Sequence, residues 1–211
     1  MRRSRLSRAR SRFAAGSVKA SDVPIPPSLR IHQREAASRS NGPGLRAVIW
    51  TQGCSLNCPG CFNPQTHPGQ SGETVPVDEL AAWVVAQSPP IEGLTVSGGE
   101  PFQQAQALAE LLGHVRRGSN LSTLVFTGYT QKELANFPGA ADALANIDVL
   151  IAGRYIHSQR LAVGLSGSTN KIFHFLTSRY TIADLEPTPE AEIWIQPDGS
   201  VRFSGINPLK W

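Results

Sequence analysis

The sequence contains little cysteine: only three of its 211 residues are Cys, and all three lie between positions 54 and 61. An odd number of cysteines at such close spacing excludes a secreted disulfide framework. The sequence also lacks a secretory signal and any run approaching the ~18 apolar residues that span a bilayer. We therefore expect a soluble protein of the cytoplasm, which is a reducing compartment, with no membrane partner.

Acidic residues are absent from the first 20 positions, which carry seven basic ones. The formal net charge is +4, and without these seven basic residues the remainder stands at −3. Aromatic residues make up only 7% of the chain and are not interleaved with the arginines, which argues against nucleic-acid binding. We expect residues 1–24 to form a disordered basic tail, with a transit peptide as the alternative, and residues 25–211 to form one domain.

Apolar runs and helical periodicities alternate along the chain after the tail. This order is typical of βαβ units around a parallel sheet and predicts an α/β fold. Because ligand-binding groups of such folds follow the carboxyl ends of strands, we expect the site in those loops. The predicted strands cover residues 45–51, 93–96, 121–126 and 149–152, and the predicted helices cover residues 78–87, 103–117 and 131–144, the last interrupted at Pro138 and Gly139.

The last part of the sequence has a different pattern. Residues 193–196 and 201–204 alternate in polarity on either side of Pro197-Asp198-Gly199. An Asp-Gly pair between alternating segments predicts a C-terminal β-hairpin.

The three cysteines, Cys54, Cys58 and Cys61, follow the first predicted strand in a short segment that contains Gly and Pro. Three soft thiolates at this spacing indicate a metal site. Electron-carrying [4Fe-4S] clusters use four cysteines, so a cluster bound here would keep one iron without a thiolate. Zinc is the alternative, because His67 is close enough in sequence to complete a Cys3His tetrahedron.

A second motif, Ser97-Gly98-Gly99-Glu100-Pro101, ends the second predicted strand. Glycines at a strand end let the backbone approach a ligand closely. Glu100 offers a carboxylate to an ammonium group, and Pro101 suits the first turn of a helix. An ordinary turn before a helix is the alternative interpretation of this segment.

Together the two motifs resemble the radical S-adenosylmethionine (SAM) superfamily, whose hallmark is a cysteine triplet with this spacing after the first strand. Its Gly-Gly-Glu-Pro segment, matched here by Gly98 to Pro101, holds the amino group of the bound nucleotide. The resemblance implies that the three cysteines hold a [4Fe-4S] cluster and that SAM binds the open iron.

Residues 41–46, 58–64 and 167–171 resemble the glycyl-radical-enzyme activating enzymes, in particular the anaerobic ribonucleotide reductase activating type. The superfamily usually has an aromatic before the last cysteine, whereas here Gly60 stands there and Phe62 follows, as in the activating branch. We expect Gly60 and Phe62 at the nucleotide, with Phe62 near the adenine or, alternatively, packed in the core. Asn170 and Lys171 are further candidates for the nucleotide or partner site.

The resemblance further implies a partial, open βα barrel of about four to six parallel strands. It also implies reductive cleavage of SAM to a 5′-deoxyadenosyl radical, which installs a glycyl radical on a partner enzyme, with flavodoxin or ferredoxin as the electron donor. No side chain beyond those holding the cofactors is predicted to be catalytic, since the sequence shows no Ser-His-Asp pattern. The alternatives are a radical SAM enzyme for a small molecule or peptide, and a non-catalytic zinc or iron–sulfur module.

Overall fold

The computed structural model describes residues 26–206, so the predicted tail at residues 1–24 lies outside the described residues. The strands, in chain order, are β1 (Ser28–Ser38), β2 (Arg46–Thr51), β3 (Glu73–Pro76), β4 (Gly93–Gly98), β5 (Ser122–Phe126), β6 (Val149–Ala152), β7 (Arg160–Val163), β8 (Ser166–Ser168), β9 (Ile172–Phe175), β10 (Ala191–Ile195) and β11 (Val201–Gly205). The α-helices are α1 (Val77–Val85), α2 (Ala105–Gly118), α3 (Gln131–Leu134), α4 (Ala140–Leu144) and α5 (Ile182–Leu185).

Seven of these strands form one sheet in the order β3-β1-β2-β4-β5-β6-β9. The four central strands, β2, β4, β5 and β6, run parallel to one another, whereas β1, β3 and β9 join by antiparallel pairing. The four parallel strands are those predicted from the sequence, and the mixed α/β class is confirmed. Strands β7 and β8 form one separate hairpin, and β10 and β11 form the predicted C-terminal hairpin.

Helices α1 and α2 cover one face of the sheet. Their apolar side chains, including Leu80, Leu108 and Leu112, pack against Ile49 of β2 and Val96 of β4 in the larger core. Side chains that alternate to the other face of β2 leave this core, because successive residues of a strand point to opposite faces. The opposite face of the sheet carries a smaller apolar cluster and, at the carboxyl ends of the strands, a cavity.

Arg46 lies at the opposite end of β2 from the cysteines and is fully buried. Its guanidinium donates to Thr95 Oγ1 at 2.8 Å and to the Leu94 carbonyl at 2.8 Å. It also donates to the side chain and carbonyl of Ser122, at 2.8 and 3.2 Å, and to the Pro43 carbonyl at 3.2 Å. Five donor contacts from one side chain therefore join the starts of β2, β4 and β5.

Several elements differ from the sequence prediction. Residues 29–32, whose sequence predicts a short extended segment, are the start of the much longer β1, and β3 and β9 were not predicted as strands. The helix expected at residues 131–144 is divided into α3 and α4 at Pro138 and Gly139, as predicted, and Gly139 adopts a φ of 84° there. None of the helices within residues 26–206 combines the length and apolar composition that crossing a bilayer requires.

Candidate functional site

The cavity has a volume of about 320 Å³, which is within the usual range for small-molecule sites. All three cysteines line it, together with Gly98, Gly99, Glu100 and Phe62. The two motifs that the sequence analysis identified, which are separated by more than thirty residues of chain, therefore face one space. Their meeting follows from the parallel pairing of β2 with β4, since the loop after each strand leaves the same edge of the sheet.

The cysteine-bearing loop is closed at its base by two backbone hydrogen bonds. Gly53 N–H donates to the Thr66 carbonyl at 2.8 Å, and Cys54 N–H donates to the His67 carbonyl at 3.1 Å. Thr66 is fully buried, and its hydroxyl donates to the Asn63 carbonyl at 2.7 Å. We call these contacts the neck of the loop. Protein atoms alone thus fix where the loop begins and ends.

Within the loop, the backbone curls around the cysteines. Cys61 N–H donates to the Cys58 carbonyl at 3.2 Å, and the Asn63 N–H donates to Cys61 Sγ at 3.4 Å. Gly60 adopts a φ of 70°, and a Cβ added there would lie 2.6 Å from Nδ1 of His157. Glycine is therefore required at position 60 by the turn and by the neighbouring imidazole, and this residue lies beside the cavity lining rather than in it.

The thiols have the chemistry of iron ligands. Burial raises the pKa of Cys54 and of Cys61, and the other thiols add to this effect, so a positively charged metal core is needed to stabilise the thiolates. Among residues 26–206, no three His, Cys, Asp or Glu side chains are grouped to hold a single ion. A [4Fe-4S] cluster takes each thiolate on a different iron, and three thiols around one cavity fit that requirement.

Gly98, the last residue of β4, and Gly99, which follows it, line the cavity beside the cysteine loop. Gly98 adopts a φ of 98°, and a Cβ there would lie 2.6 Å from the backbone nitrogen of Thr51. A Cβ on Gly99 would lie 2.4 Å from the Gly53 carbonyl oxygen. The Gly99 N–H donates to the Thr51 carbonyl at 2.8 Å. Both positions therefore need glycine so that this backbone can lie against the start of the cysteine loop.

Glu100 is 1% exposed, and its carboxylate accepts three hydrogen bonds from the protein. The donors are Phe102 N–H at 3.0 Å, Thr127 Oγ1 at 2.8 Å and Gly128 N–H at 2.7 Å. Burial raises the pKa of Glu100, although these donors and Lys171 oppose the rise. Glu100 therefore joins the loop after β4 to the loop after β5, a use of this carboxylate that its motif does not indicate. Pro101 is buried behind it and begins a 3-10 turn, as predicted for a helix start.

Lys171, not its neighbour Asn170, faces the cavity. The Lys171 ammonium donates to the Gly153 carbonyl. Burial lowers its pKa, and Glu100, Cys58 and Cys61 oppose that shift. Asn170 lines an adjacent depression instead, where its amide donates to the Arg154 carbonyl at 2.9 Å. Lys171 therefore places a positive charge in the cavity that the cysteines line. Asn170, which was predicted to bind the nucleotide or the partner, instead donates a hydrogen bond to the backbone of Arg154.

Phe62 lines the cavity next to the last cysteine. Its ring packs edge-on against Tyr155 with centroids 4.9 Å apart, and the Arg160 guanidinium lies 4.6 Å from its centre. The sequence analysis did not identify Trp50, Tyr155 or Phe203, which also line the cavity. Trp50 could have been found from the alternation of β2, whereas Tyr155 and Phe203 reach the cavity only through the tertiary fold.

Comparisons with known proteins agree with this site. Residues 40–174 match the protein family described as 4Fe-4S single cluster domain. The chain is 32% identical over 158 residues to the anaerobic ribonucleoside-triphosphate reductase-activating protein of Vibrio cholerae, a match that covers 71% of this chain and 99% of that protein. It is 37% identical over 91 residues to the pyruvate formate-lyase-activating enzyme of Staphylococcus epidermidis, covering 41% of this chain and 36% of that enzyme.

Among solved structures, QueE from Escherichia coli matches with a TM-score of 0.39 and 15% identity, covering 57% of this chain and 68% of that one. The alignment to the pyruvate formate-lyase-activating enzyme spans about a third of that enzyme's length. The Vibrio cholerae protein, in contrast, is matched from end to end.

Proposed function

Because the chain belongs to the 4Fe-4S single cluster domain family and is a radical SAM activating enzyme by its relatives, we propose that Cys54, Cys58 and Cys61 bind a [4Fe-4S] cluster that leaves one iron open for SAM. The observation that supports this most is the convergence of the three thiols and the Gly98-Gly99 backbone on one cavity. The family match favours iron–sulfur over the zinc alternative with His67.

In this proposal, different residues of the cavity bind different parts of SAM. Gly98 and Gly99 present backbone groups to its amino end, and the half-buried Lys171 ammonium attracts its carboxylate. Phe62 offers an apolar ring to the adenine. Gly60 shapes the loop that presents Phe62, and Asn170 positions the turn before Lys171.

Held by Cys54, Cys58 and Cys61, a reduced cluster would supply the one electron that cleaves SAM into methionine and a 5′-deoxyadenosyl radical, and that radical would take a hydrogen atom from a glycine Cα of the partner enzyme. The protein binds and orients SAM and excludes water, because a primary alkyl radical otherwise attacks neighbouring groups. The partner is a glycyl radical enzyme resembling the anaerobic ribonucleoside-triphosphate reductase, as the name of the Vibrio cholerae relative indicates.

Helices α1 and α2 lie on one face of the sheet and the cavity on the other. On this basis we propose that the sheet is a partial, open βα barrel with its interior at the cavity. We propose that residues 25–211 form a single domain.

We further propose that a flavodoxin or ferredoxin of the cytoplasm reduces the cluster.

The test is anaerobic reconstitution with iron and sulfide, followed by EPR spectra of the reduced protein with and without SAM and an assay for 5′-deoxyadenosine. We expect about four irons per chain, a cluster signal that SAM alters, and the cleavage product. Cys58→Ala should lose the signal, whereas Ser55→Ala, in the same loop, should keep it. A protein that takes up one zinc and no iron would show that the proposal is wrong.

A further inference from the structure

The C-terminal hairpin has two faces of opposite character. Residues paired across an antiparallel ribbon share a face, and successive residues alternate between faces. In the observed register, Ile193 pairs with Phe203 and Ile195 pairs with Val201. These four residues therefore form one apolar face, which we call the ribbon face. The opposite face is formed by Glu192, Trp194, Arg202 and Ser204.

The polar face is the one attached to the rest of the protein. The Glu192 carboxylate accepts from Ser38 Oγ at 2.6 Å and from Arg39 N–H at 2.7 Å. Arg202 pairs with Glu35 of β1 at 2.6 Å. A two-sided antiparallel ribbon usually turns its apolar face to the core. Here the anchoring is polar, and three of the four apolar residues, Ile193, Ile195 and Val201, are left toward solvent.

The exposure of the ribbon face is large. Ile195 is 78% exposed, Val201 49% and Ile193 47%. Exposed apolar residues are ordinary when scattered, but a contiguous group of them marks an interaction surface. Three side chains of this size are far less than the roughly 800 Å² per partner that a stable interface buries. The ribbon face therefore suits a transient partner better than a permanent second copy of this chain.

The ribbon face continues into the cavity. Phe203, its fourth member, lines the same cavity as the three cysteines, and so does Ile206 immediately after β11. A Cβ added to Gly167 would lie 2.8 Å from the Phe62 ring and 3.7 Å from Ile206, so the end of the hairpin lies beside the cysteine loop. A path of apolar side chains thus leads from Ile195 to the candidate cluster site.

Hydrogen transfer requires reacting atoms within about 3–3.5 Å, so the partner's glycine has to enter this cavity. We propose, on the basis of the proposed function, that the ribbon face binds an extended apolar segment of the glycyl radical enzyme next to its target glycine. The ribbon face is then the surface that selects the partner protein, and three of its members, Ile193, Ile195 and Val201, lie outside the lining of the cavity.

The test compares the reconstituted wild-type protein with Ile193→Thr/Ile195→Thr and with Ile195→Thr alone, since threonine keeps the β-branched shape. Ile182→Thr is the matched control, because Ile182 is 52% exposed in α5 and is not part of the cavity lining. Each protein is titrated against the anaerobic ribonucleoside-triphosphate reductase of the same organism, and glycyl radical formation is followed by EPR. Formation of 5′-deoxyadenosine without the partner is measured in parallel, and circular dichroism checks folding.

We expect the double variant to raise the half-saturating partner concentration about tenfold, which corresponds to about 1.4 kcal/mol, with cleavage of SAM unchanged. The single variant, at the most exposed position, should show a smaller rise and keeps the test valid if the double variant fails to fold. An unchanged half-saturation, an equal effect of Ile182→Thr, or a wild-type dimer that the variants dissociate in sedimentation would overturn the inference. A wild-type protein that cleaves SAM but never activates the reductase would instead refute the proposed partner.

Discussion

Replacement of Glu100 by Gln tests whether this carboxylate holds the site together before any ligand binds. Its oxygens accept from Phe102 N–H, Thr127 Oγ1 and Gly128 N–H. The amide oxygen of Gln can still serve two of these donors, but its NH2 group then opposes a third. A hydrogen bond to a charged acceptor contributes about 1.5–3 kcal/mol, and removal of a buried charge offsets part of that loss.

We therefore expect Glu100→Gln to lower the free energy of unfolding by about 2 kcal/mol, which for a chain of this size lowers Tm by about 4–8 °C. The assay is thermal unfolding of the cluster-free protein by circular dichroism, with Glu110→Gln as the control at an exposed position of α2. SAM affinity of the reconstituted protein should also fall, because Gly98 and Gly99 lose their support. An unchanged Tm together with lost SAM affinity would show that Glu100 acts as a direct ligand and that the structural argument is wrong.

Three further results follow from the fold. Arg46→Lys leaves three donors for five acceptor contacts, so urea unfolding should show a loss of about 3 kcal/mol. Gly98→Ala places a Cβ against the β2 backbone at a φ of 98° and should lower the free energy of unfolding by at least about 2 kcal/mol. The control Gly164→Ala, which has open space around the added Cβ, should lower it less in the same assay. The backbone N–H of Thr130 and the Arg154 guanidinium lower the pKa of Glu133 to about 2. The contribution of the Glu133 carboxylate to folding stability is therefore complete above its usual pKa of 4.5 and is lost as the pH falls toward 2. Glu133→Gln should flatten the pH dependence of the free energy of unfolding in that window.

The sequence predicted the parallel strands well because each contains a short, mostly apolar run without charge, such as residues 47–50. It missed most of β1, whose residues 32–36 are mainly polar, because that strand is held by pairing with β2 and β3 rather than by its own hydrophobicity. It missed β9 because an apolar run next to a turn does not show whether the chain joins the sheet antiparallel at its edge.

For the site too, local motifs could be predicted from the sequence, whereas contacts between distant segments could not. The cysteine spacing pointed to a metal site, and the resemblance of the Gly-Gly-Glu-Pro segment to the radical SAM superfamily pointed to Gly98-Gly99. Both motifs are local in sequence and are placed by parallel strands. The partners of Glu100 could not be predicted, since Thr127 and Gly128 follow a different strand. The preference for Lys171 over Asn170 depends on the direction of one turn. Phe203 reaches the cavity only because the polar side of its hairpin is fixed to β1 and the turn that follows it.

The neck of the cysteine loop has a consequence for how the protein survives loss of iron. Small zinc domains unfold without metal because the metal supplies most of their folding free energy. Here the Gly53–Thr66 and Cys54–His67 hydrogen bonds and the buried Thr66 hold the loop to the sheet through protein atoms alone. We expect a chain whose cluster has been destroyed by oxygen to stay folded with its thiols near their working positions, so that it can be repaired in place and need not be synthesised again.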